Sequence, residues 1–168
     1  EIRRDNYIYY HCRQLVGFDF ENLTEKRMRT GAWTAQVPTI RGAISAGAPF
    51  LVDEWRMAQA CTDRPIKVTV PGPLTITDSV ADDFYHDERA VGIVLAEAIN
   101  GEIRALAEAG ADPAIGTEER TTPVMVAAGL GQVPAETRVQ EQDSLAAVRL
   151  ALELGADVNG TNQVGRTA

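Results

Sequence analysis

The clearest periodicity in the chain lies at residues 88–109, where Val91, Leu95, Ile99, Ile103 and Leu106 recur at spacings of three and four. A single apolar stripe between polar positions predicts an amphipathic helix. Asp87 stands where an N-cap carboxylate accepts the first free amides. The helix should leave off before Pro113, because a residue preceding proline, here Asp112, avoids helical backbone, so Ala111–Pro113 should form a turn. Residues 50–61, FLVDEWRMAQAC, put Leu51, Trp55 and Ala58 on one face and predict a shorter helix. Between the two helices lies IKVTV (66–70), a β-branched run of strand length bounded by Pro65 and by PGP at 71–73. A strand, a Pro-Gly turn and a helix make the outline of a βα unit. Upstream, AWTAQVPTIRGAIS (32–45) alternates irregularly around Pro38 and Gly42 and predicts a hairpin.

The second half contains an internal repeat. GAD at 110–112 recurs at 155–157, and TP at 122–123 corresponds to TA at 167–168, both at an offset of 45 residues. The two stretches align without gaps over their shared length. The polar, arrhythmic segment 131–143 reads as an insertion within the repeat. After it, Asp143 or Ser144 caps a helix in which Leu145, Val148, Leu152 and Leu154 should form the buried side, with Gly155 ending it.

Composition narrows the partners. The net charge of −8 is lopsided: residues 1–84 hold 10 Lys/Arg against 11 Asp/Glu, and residues 85–168 hold 6 against 13. An acidic surface repels phosphate backbones, so nucleic acid is excluded as a partner. No apolar run of about 18 residues exists to span a membrane. Two cysteines, Cys12 and Cys61, make no disulfide framework and point to a reducing, cytoplasmic setting. The absence of an initiator Met at Glu1 reads as a cut end.

Three stretches, EIRRDNY (1–7), TDRPIKVTVPGPLTI (62–76) and DERAVGIVLAEAINGEIRALAEAG (87–110), resemble the catalytic barrel of the cobalamin-independent methionine synthase family. TPVMVAA (122–128) and AVRLALELGADVN (147–159) resemble ankyrin repeats, whose usual period is about 33 residues. The fold expected is therefore an incomplete α/β segment of a TIM-type barrel over 1–109, joined to an α-helical ankyrin-repeat segment over 110–168. The latter would comprise one repeat with an insertion near 131–143, plus a stub. One parallel strand leaves its backbone groups open, so such an arc should expose Val68 and Val70 and self-associate or recruit a protein partner.

The resemblance implies methyl transfer from a reduced folate to a thiol such as homocysteine. In the complete family enzyme zinc holds the sulfur as a thiolate, the nucleophilic form. The family builds that zinc site from one His, two Cys and a Glu on later barrel strands. The soft donors available here are His11, Cys12, Cys61 and His86; the adjacent pair His11–Cys12 points its side chains apart, and no Cys-x-x-Cys or His-x-Cys spacing occurs. No metal or other cofactor is expected in this chain. By resemblance, Glu1 matches a glutamate that binds the substrate's ammonium. Ser79 stands where large family members carry a Trp that stacks on the pterin, and it cannot stack. VPGP (70–73) has too few free N–H groups to cradle phosphate and reads as a turn. Asp82, Asp83, Asp87 and Glu88 read as an acid-rich loop and helix cap in preference to a metal site. The chain is expected to be a fragment or chimera of a methyltransferase, inactive in isolation. An ankyrin-type interaction module and a recombinant or designed fusion are the alternatives.

Overall fold

The computed structural model describes residues 6–28, 31–112, 115–130, 141–153 and 155–168. The chain separates into two compact units, Glu1–Ala109 and Gly110–Ala168.

The first unit opens with α1 (Tyr7–Cys12), capped by Asn6, whose side chain accepts from the amides of Ile8 and Tyr9. Two fourteen-residue strands follow, β1 (Leu15–Met28) and β2 (Trp33–Ala46), paired antiparallel. The hairpin expected within 32–45 is thus a single strand, one arm of a larger hairpin whose other arm is β1. Its irregular alternation has a physical cause in two slips of register. Gly17 faces residues 41–44, and Pro38 faces residues 20–23. Proline has no N–H to give the ladder, so it fits where the partner bulges away. Asp19 closes that bulge, its carboxylate accepting from the amides of Glu21 and Asn22 at 2.8 and 3.0 Å. Gly17, at φ 97°, approaches β2 so closely that a Cβ would lie 2.7 Å from the Gly42 carbonyl oxygen. Only glycine fits there.

Next come α2 (Leu51–Gln59), α3 (Pro73–Ser79) and a two-residue β3 (Ala81–Asp82) parallel to β2. The longest helix, α4, spans Glu88–Glu108; Asp87 caps it, accepting from Arg89 and Ala90, and Gly110 beyond it adopts φ 106°. The predicted stripe holds: Val91, Leu95, Ile99 and Leu106 are buried, and Ile103 packs against the core. That core joins α1, β2, α3 and α4 through Ile8, Cys12, Ile40, Ile44, Ile76 and Val80.

Residues 66–70 depart from expectation. They make no ladder with any described residue and are not a strand. A strand exists only by pairing, and β-branched composition supplies no partner. Val68 and Val70 are half-buried, not exposed, and Val70 packs against the core. The sheet described here is consequently a mixed three-stranded one built on an antiparallel hairpin, with parallel pairing confined to β2–β3.

In the second unit, α5 (Pro123–Ala127) packs against α6 (Glu141–Glu153). Leu145 and Leu152 are exposed at 48% and 43%, contrary to the expected buried side, and Val148 is half-buried. Among the described residues, two helices so short share one seam, and Leu145 and Leu152 stay in solvent. Because α6 begins at Glu141, Asp143 and Ser144 lie inside it and not at the position before it. Leu154 and most of the insertion, 131–140, lie outside the described residues.

The 45-residue repeat is present in the backbone itself. The amide of Thr117 donates to the Thr121 carbonyl and that of Arg120 to Thr117; the amide of Asn162 donates to Arg166 and that of Gly165 to Asn162. Every pair is offset by 45 residues. The left-handed positions match as well, Arg120 (φ 59°) with Gly165 (φ 76°), and Gly110 with Gly155. Gln163 then joins the two turns, its amide donating to the Glu119 carbonyl and its Nε2 to that of Glu118, each at 2.9 Å.

Candidate functional site

The soft donors are dispersed. His11 is buried on α1, its Nδ1 2.8 Å from the Tyr7 carbonyl oxygen and its ring edge-on to Phe50. Cys12, its neighbour in sequence, enters the apolar core, where burial pushes its thiol up to about 12. A thiol held neutral at physiological pH is a poor nucleophile. Cys61 is exposed beyond α2, with Sγ 3.3 Å from the Met57 carbonyl oxygen. His86, exposed at φ 53°, precedes α4. Among the described residues no three His, Cys, Asp or Glu side chains converge as a metal site. These donors do not fit a zinc centre. Glu1 lies outside the described residues.

The acids before α4 have structural partners. Asp82 accepts from the amides of Phe84 and Tyr85, Asp87 caps α4, and Asp83 pairs with Arg41, which also reaches Asp19 at 3.2 Å. Ser79 Oγ donates to the Thr75 carbonyl, while the Ser79 carbonyl accepts from Tyr9 at 3.1 Å. Residues 70–72 form no turn, contrary to expectation: extended backbone at Gly72 leads directly into α3, and Pro73 takes its first position, where the missing N–H costs no helical bond.

Lys26 is the residue that sequence reasoning missed. It projects from β1 to the end of α3, where its ammonium donates to the carbonyls of Thr77 (2.9 Å) and Val80 (2.6 Å). Such carbonyls at a helix end lack intrahelical donors, and a cation there also meets the negative end of the dipole. Desolvation pulls the Lys26 pKa down, and Asp78, Glu88 and Asp82 oppose that shift. Beside it a cavity of about 350 Å³ is walled by Ile40, Val80, Val91, His86 and Glu88. With two of its protons engaged, the amine fastens the hairpin to α3 and offers the cavity no free nucleophile. Nothing in LTEKRMR separates Lys26 from Arg27 or Arg29, since its role depends on an element fifty residues away.

Comparison with known proteins agrees with this architecture. The family model described as "Cobalamin-independent synthase, Catalytic domain" matches residues 1–157. The chain belongs to that family. The match runs beyond Ala109, so the synthase-like region is larger than the 1–109 assigned from motifs. Methionine synthase of Saccharolobus solfataricus is 33% identical over 113 residues, covering 66% of this chain and 33% of that protein. The 5-methyltetrahydropteroyltriglutamate–homocysteine methyltransferase of Bradyrhizobium diazoefficiens is 34% identical over 113 residues, 66% of this chain and 14% of its own length. Among solved structures, a B12-independent methionine synthase from Shewanella sp. W3-18-1, in complex with selenomethionine, aligns with a TM-score of 0.61 at 29% identity. It covers 65% of this chain and 32% of that one. The chain thus spans about a third, or less, of the relatives it matches. Among the described residues no helix is long and apolar enough to cross a membrane.

Proposed function

We propose that this chain is one segment of a methyltransferase catalytic domain that moves a methyl group from a reduced folate to a thiol such as homocysteine, and that the segment does not catalyse alone. The family match over residues 1–157, set against coverage of a third of the relatives, carries this reading. In the complete family enzyme zinc supplies the activated thiolate. The residues here serve otherwise: α3 and α4 form a scaffold, Lys26 fastens the hairpin to it, and Glu1 would pair with the substrate's ammonium. Orientation of two bound substrates is worth about 7–11 kcal/mol of barrier, and a chain that spans a third or less of its relatives' length does not supply it alone. Labelled methylfolate and homocysteine incubated with the purified chain should yield no methionine above the uncatalysed rate. Turnover by the chain alone overturns the reading.

The hydrogen-bonded turns at an offset of 45 residues favour a second reading for residues 110–168, an ankyrin-type repeat surface that binds protein. Stacked repeats gain stability from each neighbour. Appending one more 45-residue copy should raise the melting temperature of this unit, and an unchanged value counts against a stackable repeat.

A further inference from the structure

The dipeptide Asn-Gly occurs at 100–101 and again at 159–160. The two copies share their covalent chemistry and differ in backbone setting. Asn100 and Gly101 lie in the interior of α4, where an α-helix commits each amide to the carbonyl four residues earlier. Asn159 is exposed in the turn at 158–159, and Gly160 after it is half-buried. Asp157 shapes that turn, its Oδ1 accepting from the Asn159 amide at 2.9 Å. Among the described residues, neither the Asn159 side chain nor the Gly160 amide makes a hydrogen bond. Nearby Asn162 shows the opposite arrangement: it is buried, and its Oδ1 accepts from the amides of Val164 and Arg166. Glycine has no Cβ to crowd its own nitrogen and turns freely about its backbone bonds. At 159–160 a free amide nitrogen therefore follows a free, solvent-facing carboxamide.

We propose that Asn159 is a site of spontaneous deamidation, and that α4 protects Asn100 from the same reaction. Hydroxide takes the proton of the Gly160 amide, whose nitrogen attacks Asn159 Cγ. The N–Cγ bond forms, closing a five-membered succinimide, and the Cγ–Nδ2 bond breaks. The departing nitrogen takes a proton from water and leaves as ammonia, which restores the hydroxide. Water then opens the ring at either carbonyl, leaving aspartate or isoaspartate at position 159. The net change is one water consumed and one ammonia released, with no oxidation or reduction. Each conversion takes the formal charge from −8 to −9 in the half of the chain already richer in acids. The isoaspartyl product also lengthens the main chain by one carbon just ahead of Gln163, whose amide and Nε2 hold the Glu119 and Glu118 carbonyls.

Peptide-mapping mass spectrometry tests this on the 168-residue chain, aged at physiological temperature in mildly alkaline buffer. Conversion at Asn159 should outpace that at Asn100 by about 100-fold, because a helical amide reacts only in the rare moments when the helix opens. In water enriched with heavy oxygen the product should carry one heavy atom, and isoaspartate should separate from aspartate by chromatography. The rate should climb with pH, since the deprotonated nitrogen is the attacking species. In concentrated urea, where turn and helix are both lost, the rates at the two asparagines should converge. Gly160→Ala should slow the native reaction by about tenfold through crowding at the attacking nitrogen. The fold accepts that change, because an added Cβ would lie 3.5 Å from the Asp157 carbonyl oxygen, in ordinary contact. Comparable native rates at the two sites overturn the proposal, as does a difference that persists in urea, which would assign the selectivity to local sequence. A rate at Asn159 unchanged by Gly160→Ala overturns the mechanism through the Gly160 nitrogen, and the proposal with it.

Discussion

Glu102 offers the sharpest test of how α2 is held. The residue preceding this helix, Phe50, provides no side-chain cap. The first amides are met from across the fold: Glu102 on α4 accepts from Phe50 through Oε1 and from Leu51 through Oε2, both at 3.2 Å. A carboxylate at a helix N-terminus also meets the positive end of its dipole. Each hydrogen bond to a charged group contributes about 1.5–3 kcal/mol when well formed, and these are long and half-exposed, so the lower bound is the better guide for the pair. Glu102→Ala should therefore cost about 2 kcal/mol, the larger part from amides left without an acceptor near Leu51, which is 1% exposed. Glu102→Gln retains one acceptor oxygen and should cost about half as much. Urea denaturation followed by circular dichroism measures both, with Glu97→Ala, an exposed site on α4, expected within about 0.5 kcal/mol of the parent. Exchange should quicken at both Phe50 and Leu51 in the alanine variant and at one of the two in the glutamine variant. Equal losses for Gln and Ala, or a loss under about 0.5 kcal/mol for Ala, would refute the trans-cap argument.

Leu95→Ala, at a fully buried position in the centre of α4, should cost about 3 kcal/mol in the same denaturation experiment, within the range for core leucines. Asp19 is held down to about 2 by the Asn22 and Glu21 hydrogen bonds, with Arg41 assisting. Its folded pKa is depressed, so its contribution is present above the ordinary carboxylate pKa and is lost as pH falls toward about 2; Asp19→Asn should flatten the stability–pH curve in that window. A thiol reagent should titrate one cysteine in the native chain, the exposed Cys61, and two after unfolding, because Cys12 is buried and protonated. Two fast-reacting native thiols would contradict the core placement of Cys12.

The elements legible in the sequence are those whose determinants are local. Asp87, the stripe from Val91 to Leu106 and Gly110 stand within one helix and its caps, so they specify α4 without reference to other segments. The apolar face of α2 and the Pro-Gly entry to α3 are equally local, although the N-terminus of α2 takes its cap from Glu102 on α4. The offset of 45 residues survives as paired turns because each turn is closed by its own few residues.

The features set by tertiary structure are those that require a partner. IKVTV has every compositional mark of a strand, yet backbone groups with nothing opposite them make no ladder. LVGFDFENLTEKRM becomes β1 because β2 lies beside it, with Gly17 and Pro38 absorbing the mismatched register. Lys26 draws its role from carbonyls at the end of α3, and Leu145 and Leu152 stay exposed because no described residue covers them. A helix satisfies its backbone from within four residues of chain, whereas a sheet, a trans cap or a buried face draws its partner from elsewhere, and periodicity in one segment carries no information about the segment that will meet it.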